Sequence, residues 1–411
     1  MTGFAVCVLG LLVGVEPVGG TPGLWQVETE RLRASVERLA SEEFGGRGSR
    51  ADRGQTAAYL ASRFRAEGLS PLFAGKEGAA GVPRAEETIR DYLQNVPGPA
   101  QAGDERPLAE RPALGWNVGG LIPGGDPMVA DELVIVSAHF DHLGRRGGEL
   151  YPGADDNASG VAMCLELARV WGRSKVRPRR SIAVVGFDLE ERMLWGSTWF
   201  AGHPPRPLSQ VKLFITADMI GRALGDLPLK DIFMLGAEHG KGLAEVVAGV
   251  PRDEGLKVSR LGVDFIGTRS DYGPFRDAEV PFLFFSSGEH PDYHSPRDTA
   301  DRIDFEKVTQ VTRLVGEVAW TVANAETTPE WQGRGEPEVV EVETLVHVCD
   351  QLIARDEAER RAGRSGFTAL QRLLVTNTRN QARAIVERGR LDADERGWLM
   401  RSAQLLLATV L

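Results

Sequence analysis

Five side chains able to hold a divalent metal, His139, Asp156, Glu191, Asp218 and His294, recur along the middle of this chain, and a further carboxylate, Glu190, stands beside the third. Imidazole and carboxylate are zinc-binding groups, and a catalytic site leaves one coordination position open for water or substrate. The residue types therefore point to metal-assisted hydrolysis. Their settings sharpen that reading. His139 closes the apolar run Leu133 to Ala138, Asp156 lies within the segment Gly153 to Gly160 ahead of a helical pattern, Glu190-Glu191 follows Ser181 to Phe187, and Asp218 follows Val211 to Ile215. In an open parallel sheet the carboxyl ends of the strands converge on one crevice, so residues far apart in sequence become neighbours there. Taken singly, His139 reads as a packed or solvated histidine and the glutamate pair as a solvated face. Their succession on consecutive βα units carries the metal reading.

The elements that must position these residues follow from hydrophobic periodicity. Glu28 to Ala40 and Gly54 to Glu67 repeat apolar residues at helical intervals. Residues 73–115, rich in Gly, Pro, Ala and charge, read as a loop-rich surface excursion with one short helix near Glu86 to Leu93. Strand 133–138 leads to helix 158–172, which Asn157 or Ser159 would cap. Strands near 181–187, 211–217, 231–235 and 281–285 follow, with a helix at 304–325. Alternation of this kind predicts an α/β protein, a three-layer α/β/α sandwich around a mixed, mainly parallel sheet. The catalytic domain is expected over 23–328, then an acidic linker over 329–344 and a helical C-terminal extension over 345–411. That extension is expected to be a helical hairpin packed on the domain or an oligomerisation element, with a homo-oligomer as one outcome.

At the candidate residues the chain resembles metallopeptidase family twenty-eight, exopeptidases of the aminopeptidase type with two co-catalytic zinc ions. The segments carrying the resemblance are Ala138 to Gly144, Pro152 to Gly160, Leu189-Glu190-Glu191 with Trp195-Gly196-Ser197, Ala217 to Gly221, Ser270 to Phe275, and Asp292 to Thr299. They occur in the family's order over roughly 130–305, with a weaker likeness around Leu39 to Pro71. The resemblance implies that Asp156 bridges two zinc ions, with His139 and Asp218 completing one site and Glu191 and His294 the other. Glu190 is then the general base, Asp141 the carboxylate that orients the His139 ring, and Tyr293 a group that helps polarise the scissile carbonyl. Relatives carry a cis peptide after the bridging aspartate, so one is expected between Asp156 and Asn157. The implied activity is removal of N-terminal residues from peptides. A glutaminyl cyclase-like enzyme with one zinc, or a catalytically silent binding protein on the same fold, are the alternatives.

The chain departs from the family pattern at Arg192, where relatives often have glycine, which would alter the pocket wall, and at Tyr272, where many have histidine. His142, His203, His239 and His290 match no ligand position and are expected at the surface or in loops. The net charge of −10, with no basic stripe, argues against nucleic acid or an anionic membrane as partner. Three cysteines, Cys7, Cys164 and Cys349, form neither a disulfide framework nor a zinc knuckle, and Cys164 reads as inert packing. Phe4 to Val15 followed by Glu16 to Gly20 resembles an export signal, too short for a membrane span. A secreted or cell-envelope protein is therefore expected, with a buried N-terminal strand or helix in a cytoplasmic protein as the alternative.

Overall fold

The computed structural model describes residues 26–74, 87–99, 106–107, 110–335 and 338–411. The expected export segment lies outside these residues. A nine-stranded sheet forms the centre of the protein. Its strands are β1 (Ser70–Pro71), β2 (Leu93–Pro97), β3 (Ala113–Ile122), β4 (Leu133–His139), β5 (Ser181–Phe187), β6 (Val211–Ala217), β7 (Asp231–Leu235), β8 (Lys257–Arg260) and β9 (Phe282–Ser286). They run in the order β1-β3-β5-β4-β6-β9-β7-β8, with β2 also paired to β3. The central strands β5, β4, β6 and β9 are mutually parallel, whereas β3 joins β5, and β7 joins β9, in antiparallel fashion. The sheet is thus mixed, and its parallel middle supplies most of the candidate site. Both faces of that middle are covered, so β4 and β5 are buried at every position, the pattern expected of parallel strands flanked by helices.

The helices are α1 (Thr29–Leu39), α2 (Arg50–Ala66), α3 (Gly160–Gly172), α4 (Trp195–Gly202), α5 (Leu243–Gly249), α6 (Tyr272–Asp277), α7 (Phe305–Asn324), α8 (Val339–Arg361), α9 (Ala369–Arg388) and α10 (Ala393–Thr409). One layer contains α1, α3 and α7, packed with Val134, Val136, Ile182, Val184 and Ile215 of the sheet. Helix α7 shows why: Val308, Val311, Val315, Val318 and Val322 recur at three- and four-residue spacing and are all buried. Burying each side chain of this kind contributes about 1.5–3 kcal/mol, and Asp304 caps the helix by accepting the Lys307 amide at 3.1 Å. The opposite layer contains α6 and, farther along the sheet, α8 to α10.

Two readings of the sequence need correction. The segment 73–115 supplies β2 and the start of β3, which edge the sheet. Periodicity missed β3 because Gly115, Gly119 and Gly120 dilute the alternation. Those glycines have a packing reason: a Cβ at Gly119 would lie 2.6 Å from Leu72, and one at Gly120 would lie 2.6 Å from Leu69. The tail is also more than a hairpin. It forms the three helices α8, α9 and α10, the first already under way at Val339. Among the described residues, no helix is long and apolar enough to cross a membrane.

Candidate metal centre

The ends of β4, β5 and β6 bring the sequence-predicted residues together. His139 is the last residue of β4, Glu190 and Glu191 follow β5 in a turn, and Asp218 follows β6. Asp156 precedes α3, and His294 lies in the loop between β9 and α7. Two groups of donors result, each with its ligand atoms within 4.8 Å of one another: His142, Asp156, Glu191 and His294 in one, and His139, Glu190 and Asp218 in the other.

Asp156 joins the two groups. Its Oδ1 lies 3.3 Å from His139 Nε2, which is itself 3.3 Å from Asp218 Oδ1. Its Oδ2 lies 3.1 Å from His294 Nε2, which is 3.2 Å from Glu191 Oε1. Despite that proximity Oδ2 is buried and engages no partner in hydrogen-bond geometry. Converging imidazole and carboxylate lone pairs, buried and without a basic side chain among them, fit divalent cations better than they fit one another.

The chain around Asp156 is held by backbone amides. Asp298 is buried, and its carboxylate accepts from the amides of Asp155 at 3.0 Å and Asp156 at 3.1 Å. Asn157 caps α3 by accepting from Gly160 at 3.0 Å and donates to the carbonyl of Ala217 at 2.9 Å, which ties the loop to the end of β6. Ser159 makes no cap bond. The Asp156–Asn157 peptide is cis, as the resemblance implies.

The glutamate turn is fastened similarly. The Asp141 carboxylate accepts from the amide of Glu190 at 3.0 Å and from that of Glu191 at 3.3 Å. It lies 3.7 Å from His139 Nδ1, and the nearer contact of that ring nitrogen is the Asp141 backbone carbonyl at 3.2 Å. Asp141 thus reaches the centre chiefly through the glutamates. Buried Asp188 accepts from the Leu189 amide at 2.8 Å and pairs with Arg53 at 2.8 Å. Five of the eight described non-glycine residues with positive φ are candidate ligands or lie within three positions of one in the chain: Leu189, Met193, Leu194, Met219 and His294. Such conformations are uncommon for bulky side chains, and their concentration here marks a backbone shaped by its site.

Electrostatics separates the two glutamates. Burial, reinforced by the carboxylates of Asp218, Asp271 and Asp141 and opposed by His139, raises Glu190 well above the ordinary carboxylate range. Burial pushes Glu191 up too, but His142 and His294 outweigh it and hold Glu191 below its ordinary value. Burial opposes protonation of His294, yet the carboxylates of Asp156 and Glu191 lift it to about 10. Burial raises Tyr293, as do those same carboxylates and Asp218, so it stays a neutral phenol. Its ring stacks on His294 with centroids 3.9 Å apart.

The model of "Peptidase family M28" matches residues 117–319. Over these residues, just under half of its length, the chain is similar to peptidase family M28. Aminopeptidase YwaD of Bacillus subtilis is 26% identical over 48% of this chain and 43% of its own length. A glutaminyl-peptide cyclotransferase of Boiga dendrophila is 25% identical over 58% of this chain and 74% of its own. The crystal structure of BSAP, a zinc aminopeptidase from Bacillus subtilis, superposes with a TM-score of 0.51 at 17% identity, covering 76% of this chain and 98% of that one. The chain spans less than two thirds of the length of the first curated relatives it matches.

Within this matched region the structure corrects several readings. His142, His203 and His290 lie in loops as expected, but of the four histidines only His203 is exposed; His142, His290 and His239, the last in a short helical turn, are buried. His142 belongs to the centre itself: its Nδ1 lies 2.9 Å from Glu191 Oε1 and 3.6 Å from Asp156 Oδ2, and its Nε2 is buried without a partner. The signal was present in the His-Phe-Asp-His spacing, but strand alternation does not extend past His139. There the chain turns inward, with the His142 amide bonded to the Arg47 carbonyl at 3.2 Å. Arg192 is exposed, outside the pocket lining it was expected to alter. Tyr272 is a packing residue, stacked on Phe282 with centroids 5.2 Å apart and bonded to the Gly267 carbonyl. Burial pushes the Cys164 thiol up, in keeping with inert packing.

Proposed function

We propose that this chain is a zinc-dependent aminopeptidase that binds two zinc ions. The observation that carries this reading is the placement of Asp156, whose two carboxylate oxygens face separate donor groups. His139 and Asp218 would hold one ion with Asp156, and Glu191 and His294 the other. When bound, the metal would lower the pKa of a coordinated water to about 7 and polarise the scissile carbonyl.

The chain's own groups do the rest. Glu190 lies beside the ligand Glu191 and has a high proton affinity, which suits a base that accepts a proton from the attacking water. The same carboxyl can pass that proton to the departing amine. Tyr293, a neutral phenol, donates toward the carbonyl oxygen as charge builds there. Asp141 positions both glutamates through their amides. The concentration of carboxylates favours a cationic free α-amine, which acetylation neutralises.

A panel of free and N-acetylated aminoacyl substrates, assayed with and without added zinc, tests the reading. Release of one N-terminal residue from free substrates alone supports it. Equal cleavage of the acetylated forms refutes the aminopeptidase assignment, and cyclisation of N-terminal glutamine with one bound metal establishes the cyclase alternative.

A further inference from the structure

A cavity of about 350 Å³ opens from the metal centre, lined at that end by Asp156, Glu190 and Asp218. Beyond them its walls are apolar, and they come from two sources. The matched region contributes side chains such as Met219, Phe233 and Phe284, while α8 contributes Leu345 and Val348 and α10 contributes Ala403, Leu406 and Leu407. Away from the metal centre, the charged side chains on the lining are Arg269 and Glu289, which are half-exposed and closed on each other at 3.1 Å.

The extension is fastened at this wall. Arg396 of α10 pairs with buried Glu341 of α8 at 2.9 Å and also with Asp264 of the catalytic domain. Arg355 of α8 donates to the carbonyl of Gly225 at 2.8 Å and to that of Val410 at 3.3 Å, clamping the end of α10 to the loop after β6. The wall is therefore built, and it lies outside the residues matched to the family.

We propose that α8 and α10 form the outer wall of the pocket for the N-terminal side chain, so that the extension selects peptides beginning with a large aliphatic or aromatic residue. This rests on the aminopeptidase reading above. The occupant follows from continuity: a substrate whose α-amine and scissile carbonyl sit at the carboxylate-rich end must place its first side chain in the adjoining space. That space offers apolar contact and no unpaired charge.

Leu407 is half-buried on this wall, so a charge placed there remains near solvent and the fold is retained. The test compares kcat/KM for leucyl, alanyl and lysyl substrates in the full-length wild type and in Leu407→Glu, with thermal unfolding as a check on folding. Wild type is expected to prefer leucyl over lysyl, and Leu407→Glu to move that ratio by at least about 10-fold toward lysyl, mainly through KM. A folded variant with an unchanged ratio overturns the proposal. Absence of turnover with every free-amine substrate instead defeats the aminopeptidase reading. In that case calorimetric binding of L-leucinol decides the wall: weaker binding by Leu407→Glu supports it and equal binding overturns it.

Discussion

Arg47 donates to the carbonyl of Gly153 at 2.7 Å from a fully buried position. The same guanidinium reaches the carbonyls of Phe140 at 2.8 Å, Pro152 at 2.7 Å and Leu39 at 2.6 Å. One side chain thereby ties the loop after His139 to the loop before Asp156. Burial lowers Arg47 to about 10, against the pull of nearby carboxylates, so it remains charged at neutral pH. Arg47→Met leaves these carbonyls without donors and should cost about 3 kcal/mol or more. Urea unfolding measures this, and a loss below about 1 kcal/mol contradicts the account.

Metal content tests the role given to Asp156. Elemental analysis of zinc-saturated protein should return two ions per chain, and Asp156→Ala should lower occupancy of both sites. Asp218→Ala and His294→Ala should each affect chiefly one. A single tightly bound ion in the wild type is incompatible with the dinuclear reading.

Glu190→Gln removes the base while preserving shape. It should retain both metals and lower kcat by roughly 10²–10⁴-fold. Glu191→Gln should instead weaken metal binding. If the two variants lose metal equally, the division of labour between the glutamates is wrong.

The pH dependence of the metal-free protein has a definite sign. His294 is raised from 6.5 to about 10 in the folded state. Its contribution to stability is complete below the unfolded value and is lost as pH rises through the folded one. Chelator-treated protein should therefore lose Tm between pH 6.5 and 10. Zinc needs neutral imidazoles, so metal binding should release protons and strengthen over the same interval. A chelated protein whose Tm rises steadily across this interval contradicts the assignment.

His142 offers a separate check. Its removal deprives Glu191 of the imidazole at 2.9 Å, and His142→Ala should weaken metal binding by about 10–100-fold, the usual effect of losing a partner that orients a ligand. Competition titration with a chelating dye would reveal it. Wild-type affinity in a folded variant makes His142 a bystander.

The strands around the site were legible because β4, β5 and β6 are predominantly apolar runs, each ending at or just before a metal-binding residue type. The resemblance then grouped His139, Asp156, Glu191, Asp218 and His294. What escaped was determined by contacts distant in sequence. The strand Ala113–Ile122 hid behind glycines whose purpose is to admit Leu72 and Leu69. His142 looked peripheral because nothing local says that the chain turns inward after His139. Arg47 gave no sign of its role, since its partners lie 93 to 109 positions away along the chain apart from Leu39.

The clamp made by Arg355 joins the region matched to the family to helices that lie outside it. A fragment cut after Asn324 would retain every candidate metal ligand but uncover Phe233, Leu235 and Phe284, which now pack among Val348, Leu352 and Leu406. Such a piece would present the apolar floor of its own pocket to solvent and invite self-association. In this protein, the C-terminal helices cover apolar surface that the metal-bearing domain would otherwise expose.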